Sequence, residues 1–141
     1  MEQLFNDIQR HIATNMPALS LVDEDYGQLQ TDEDTYPVTF PCVLIDIRQT
    51  EWESLSQKAQ RGKCTMVIKL ALDCYEDTHY GSGTERQAAE RQRMATELNG
   101  LLHLRRPEGA AGPLIRRRSQ NYSLPGGIKV YEQTYEVTVI E

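Results

Sequence analysis

The chain has no long apolar run, only three histidines and no paired-cysteine motif in its 141 residues. No stretch approaches the ~20 apolar residues a bilayer-spanning helix needs, so no membrane association is expected. The opening MEQLFNDIQRH lacks the basic start and apolar stretch of a signal peptide, which points to a protein kept in a cytoplasm. Cys42, Cys64 and Cys74 make an odd count with no C-x-x-C spacing, as suits a reducing compartment. Cys64 and Cys74 alternate with apolar residues and read as small buried side chains.

Catalytic signatures are missing too. His11, His79 and His103 are scattered, without H-E-x-x-H or H-x-x-x-H spacing. Asp73, Asp77 and His79 would hold a metal only if a turn folded them together; solvated strand-end residues is the plainer reading. YGSGTERQ sits where phosphate loops sit, but it has no lysine to reach a phosphate and neither glycine-rich consensus. It reads as a β–α turn. No serine lies in G-x-S-x-G, and the scattered carboxylates form no acid/base pair. Neither an enzyme nor a cofactor is expected.

What is present is charge. The net charge is -6 and the pI about 5.1. An acidic domain repels phosphate backbones unless its basic residues are segregated. The length fits one domain spanning 1–141, large enough for a core without disulfides. With 39% hydrophobic residues and a mean hydropathy of -0.57, that core is modest and much surface is polar. This balance fits a domain that completes its burial against neighbours.

Periodicity supplies the elements. Leu4, Phe5, Ile8, Ile12 and Met16 repeat at helical spacing over 1–16, with Asp7, Arg10 and His11 on other faces and Pro17 as the stop. A short strand or turn near Leu19–Val22 leads into an acidic, exposed loop carrying Asp23, Glu24, Asp25, Asp32, Glu33 and Asp34. In YPVTFPCVLIDIRQ, Val43, Ile45 and Ile47 oppose Cys42, Leu44 and Asp46; Pro37 and Pro41 argue against a fully paired start. Residues 50–62 lack an apolar period and read as a long hairpin connection. It carries Trp52, the one tryptophan, as an edge residue or interface anchor.

KCTMVIKLALDCYED follows with strict alternation, predicting one core face and one wetter face. The next predicted helix starts at a capping box, Thr84 and Gln87, and buries Ala88, Met94, Ala95, Leu98, Leu101 and Leu102. Arg86–Glu90 and Arg93–Glu97 are i,i+4 pairs on its outer face. Strands at about 114–122 and 128–140 are joined by the turn SLPGG. The expected fold class is α+β: an antiparallel or mixed β-sheet with two main helices packed on one face, in the order α-β-β-α-β-β.

Arg105, Arg106, Arg116, Arg117 and Arg118 fall within fourteen residues. Nucleic-acid binding through this arginine-rich strand is one reading, since phosphates require segregated cations. Strand alternation, however, sends Arg116 and Arg118 one way and Arg117 the other. Arginine is also enriched at protein interfaces. An acidic loop and a basic strand on one chain suit a ring in which patch A of each copy meets patch B of the next.

The element order resembles the tail terminator and tail-completion proteins of long-tailed bacteriophages. The likeness rests on LFNDIQRHIATNMP, YP…FPCVLIDI, CTMVIKLALDCY, ERQAAERQRMATELNGLL and GGIKVYEQTYEVTV, and covers nearly the whole chain. The resemblance implies a non-catalytic, cofactor-free neck protein of a phage or prophage. Such proteins form homo-oligomeric, typically hexameric, rings that stop tail-tube growth. The partners would be other copies, the tail tube protein and the head connector or neck protein. It would be assembled in the bacterial cytoplasm and carried in the virion tail. The family's interface residues vary, so the expected contacts come from this sequence: Arg116, Arg117, Arg118 and Lys129; Asp32, Glu33 and Asp34; and Trp52.

Overall fold

A computed structural model describes all residues, 1–141. The amphipathic first segment forms helix α1 (Glu2–Asn15), which buries Leu4, Ile8 and Ile12 and stops before Pro17. The short element after it is strand β1 (Leu21–Glu24). It runs parallel to β2 (Cys42–Ser56), pairing Leu21 with Cys42 and Glu24 with Ile45, which makes the sheet mixed. Pro37 and Pro41 lie ahead of β2. That strand is therefore paired on both sides from its first residue, contrary to the expectation that the prolines would weaken its start.

Strand β3 (Ala59–Asp73) is antiparallel to β2. Residues 50–62 are not a long connection. They are strand almost throughout, with only Gln57 and Lys58 left as the turn and Gln57 at φ 51. Their polar character suggests a loop, but this is the far end of the sheet, where β5 runs beside β3 as far as Arg61 and the outer edge of β2 meets water. It needs no apolar period to satisfy its backbone.

Helix α2 (Arg86–Leu102), then β4 (Ile115–Leu124) and β5 (Ile128–Ile140), complete the chain. The sheet order is β1-β2-β3-β5-β4, and every pair but the first is antiparallel. Gly126 and Gly127, at φ +88 and +74, form the β4–β5 turn in a backbone region open mainly to glycine. Both helices pack on one face, where the main core joins Leu4, Ile8 and Ile12 of α1, Leu98 and Leu102 of α2, and Val43, Ile68 and Tyr135 of the sheet.

The second sheet face is drier than strand alternation alone predicts. The acidic loop folds across it. Leu29, Tyr36, Val38 and Phe40 cover Cys42, Leu44, Ala71, Ile128 and Val130, forming a second, smaller core. The Tyr36 hydroxyl donates to the Pro125 carbonyl at 2.7 Å and ties the loop to the β4–β5 turn.

Three local expectations change. Thr84 and Gln87 make no capping box: Glu85 stands at the N-cap and accepts from the Gly83 amide at 2.8 Å, while the Thr84 hydroxyl turns back to the Asp77 carbonyl. On α2, Leu98 and Leu102 are fully buried and Met94, Ala95 and Leu101 partly so, but Ala88 lies outside the core, and neither outer-face i,i+4 pair closes. Cys74 is half-buried, because β3 ends at Asp73 and its amide is turned to the Gly127 carbonyl at 2.8 Å.

Candidate interaction surface

The arginine strand is shaped by a break in its ladder. Along β4, Arg116 pairs with Tyr135 and Arg118 with Thr134, leaving Arg117 as an extra residue in a β-bulge. Paired residues on adjacent strands share a face, and Tyr135 belongs to the helix-side core. Arg116 is therefore on the helix side, where its guanidinium donates to Gln133 Oε1 at 3.3 Å. Arg117 and Arg118 are on the opposite side, and Arg117 pairs with Glu136 at 3.0 Å. The simple alternation that grouped Arg116 with Arg118 is thus overturned by the bulge. Arg118 is exposed and has no hydrogen-bond or ion-pair partner within the chain.

The other basic residues serve the fold. Arg105 donates to both oxygens of Asp7, at 3.2 and 3.1 Å. The Asp7 carboxylate is 4% exposed, although the helical wheel had placed it away from the core. Burial raises its pKa, but hydrogen bonds from Arg105 and the Glu108 amide outweigh that and hold it below its ordinary value. Arg106 Nε donates to the Ala110 carbonyl at 3.2 Å. Lys129 is half-buried on the helix side of β5, opposite Leu72 and Ser123.

The acidic segment divides as well. Asp25 is not solvated: it pairs with Lys69 at 3.0 Å, and the two side chains are 8% and 9% exposed. Asp32, Glu33 and Asp34 are exposed on the outside of the covering loop and enter none of the chain's ion pairs. Glu132, buried beside the Lys69 strand, accepts from Gln120 at 2.5 Å and the Tyr122 hydroxyl at 3.1 Å. Burial and the Glu132 charge push the Tyr122 phenol up to about 12.

Trp52 stands on the β2 arm, the outer strand at the far end of the sheet, 39% exposed, with its indole over Gly62 of the facing strand. A shallow concavity beside it is lined by Glu51, Glu53, Arg61 and Lys63, a polar setting with one apolar residue. The arm's charged residues were legible in the sequence; their place on a sheet edge was not, because 50–62 read as a connection.

The sites anticipated from sequence therefore occupy several surfaces. Arg116 and Lys129 are on the helix side, Arg117 and Arg118 on the loop side, Asp32–Asp34 on the covering loop and Trp52 on the arm. Nowhere do three His, Cys, Asp or Glu side chains converge as a bound metal ion requires. Asp77, one of the residues considered for such a role, contributes its carbonyl to Ser82 and Thr84. No helix is long and apolar enough to cross a membrane.

These features define a helix-backed mixed sheet whose chemistry lies in exposed edges and charge. Among solved structures, a chain of the virion of a native gene transfer agent (GTA) particle has a similar fold, with a TM-score of 0.64 and 11% sequence identity. The match covers 99% of this chain and 96% of that one. At that identity the likeness is one of fold. No protein-family model matches the chain, and no curated protein matches it.

Proposed function

We propose that this protein is a structural assembly component of a phage-like particle, a tail terminator or close neck relative. In this reading it closes into a ring of about six copies, caps the tail tube and meets the head connector. The observation that carries the proposal is the sharing of fold, over nearly the full length of both chains, with a component of a virion particle. The surface supports it. Charge is concentrated on sheet edges and an arm, where repeated copies make contact.

The rival reading, nucleic-acid binding by the arginine cluster, draws less support from the geometry. Arg105 and Arg117 are engaged by carboxylates, and Arg116 lies on a different face from Arg118. A phosphate-binding stripe needs free cations side by side.

Native mass spectrometry over a concentration series, with negative-stain imaging, tests the proposal. Closed rings of one size are expected, either alone or on added tail-tube ends. A strict monomer under both conditions, combined with salt-dependent binding to mixed-sequence DNA or RNA, transfers the assignment to the rival.

A further inference from the structure

Two strand edges of opposite charge are left open. Beyond Ile45, whose carbonyl accepts from Asp25, the outer edge of β2 from Asp46 to Ser56 has no backbone partner. At the other end of the sheet, residues 103–105 cap β4 as far as Arg116, through Leu104 to Leu114, Leu114 to Arg105, and the Arg116 amide to His103. From Arg118 to Leu124 the outer edge of β4 is open.

Open edges are templates for strand addition, and charge decides what they accept. The β2 edge carries Glu51 and Glu53. The β4 edge carries Arg118, with Arg117 beside it. Like edges repel one another, so pairing of β2 with β2 or of β4 with β4 is disfavoured. Pairing of β4 with β2 brings opposite charges together.

We propose that copies of this chain join edge to edge in one continuous sheet, β4 of each copy adding antiparallel to the arm of β2 in the next. This deepens the ring reading above and rests on it. The direction follows from topology: β2, β3, β5 and β4 alternate, so β4 runs opposite to β2 within the chain and keeps that sense under a ring rotation about an axis near the strands.

The register follows from the pleat. Arg118 shares the face of Thr134, Val67 and Asp46, which lie level with it across the sheet. On the open β2 edge, Glu51 pairs with Lys63 and lies on that same face. Setting Arg118 opposite Glu51, instead of level with Asp46, staggers successive copies by four positions of the ladder (67 − 63, counted on β3, because the bulge at Arg48 adds one residue to β2). That is about 13 Å at a strand rise of ~3.3 Å per residue. Four strands at ~4.8 Å spacing make each repeat about 19 Å wide. The ratio corresponds to a strand tilt of about 35°, at the lower end of the range of roughly 35–45° at which sheets close into barrels. In this register Glu51, which has no cation within the chain, meets Arg118, which has no anion.

The test uses the full chain with Cys74→Ser, since Cys42 and Cys64 are buried. Glu51→Cys and Arg118→Cys are introduced singly and together, and the proteins are oxidised at high concentration. Directly opposed strand residues lie close enough for a disulfide. The double variant is expected to give an intermolecular ladder ending at one closed size; each single variant stops at dimers. Rings that form without this crosslink overturn edge pairing and leave the ring reading standing. A ladder running on into open filaments sustains edge pairing and overturns the ring. Monomers with no crosslink overturn the edge-pairing proposal. In parallel, Arg118→Glu and Glu51→Arg should each raise the concentration needed for assembly about tenfold, and their combination should restore it. Additive loss in the combined variant would count against the register.

Discussion

Arg105 grips both oxygens of Asp7, at 3.2 and 3.1 Å, from 98 positions further along the chain. The pair fastens α1 to the segment that caps β4, so it links the N-terminal helix to the basic edge. With Asp7 buried and Arg105 a third exposed, Asp7→Asn should cost about 2 kcal/mol, below the range for a fully buried pair. Urea denaturation measures this.

The same residue sets a pH dependence. The Asp7 pKa is lowered on folding, so its contribution is present above the unfolded carboxylate pKa and is lost as pH falls through the folded value. The stability gap between the wild type and Asp7→Asn should be constant near neutrality and narrow in acid. A gap that widens as the pH falls would contradict the assignment.

Asp25 and Lys69 make a different kind of pair, sealed between the covering loop and the sheet. Removing one partner leaves a buried charge. Asp25→Ala should therefore cost about 3 kcal/mol or more, whereas an apolar replacement of both should recover most of the loss. Equal losses in the single and double variants would show that the cost does not come from a stranded Lys69 charge.

Gly62 leaves room for the indole of Trp52. A β-carbon there would lie 2.7 Å from Trp52 Cζ3 and 2.7 Å from Thr50 Cγ2. Gly62→Ala should displace the ring, red-shift the emission of the one tryptophan, and destabilise by about 1–2 kcal/mol. Unchanged fluorescence would mean that the ring does not rest there in solution.

The thiols should separate by reactivity. Burial pushes the Cys42 thiol up to about 12 and also raises Cys64, whereas Cys74 is half-buried beyond the end of β3. Alkylation at mildly alkaline pH should label Cys74 first and leave the other two until the protein unfolds. Early labelling of Cys42 would indicate that the covering loop opens.

Alternation and helical spacing determined much of this protein. Val43, Ile45 and Ile47 against Cys42, Leu44 and Asp46 marked the two sheet faces, and Leu4, Ile8 and Ile12 marked the buried side of α1, because those periods are local consequences of backbone geometry. The glycine turn before β5 was legible for the same reason. Tertiary structure alone decided the rest. Whether Asp25 meets water or Lys69 depends on a loop closing over a sheet, and whether Asp7 is solvated depends on an arginine far along the chain. The bulge at Arg117 re-sorts the arginines between faces, and the polar run 50–62 becomes strand because β2 and β3 pair with each other and β5 pairs with β3 from the far side. Local pattern fixes which way a side chain points from its own strand. Which neighbour it then meets, and which edges stay open, is set by contacts between segments distant in sequence.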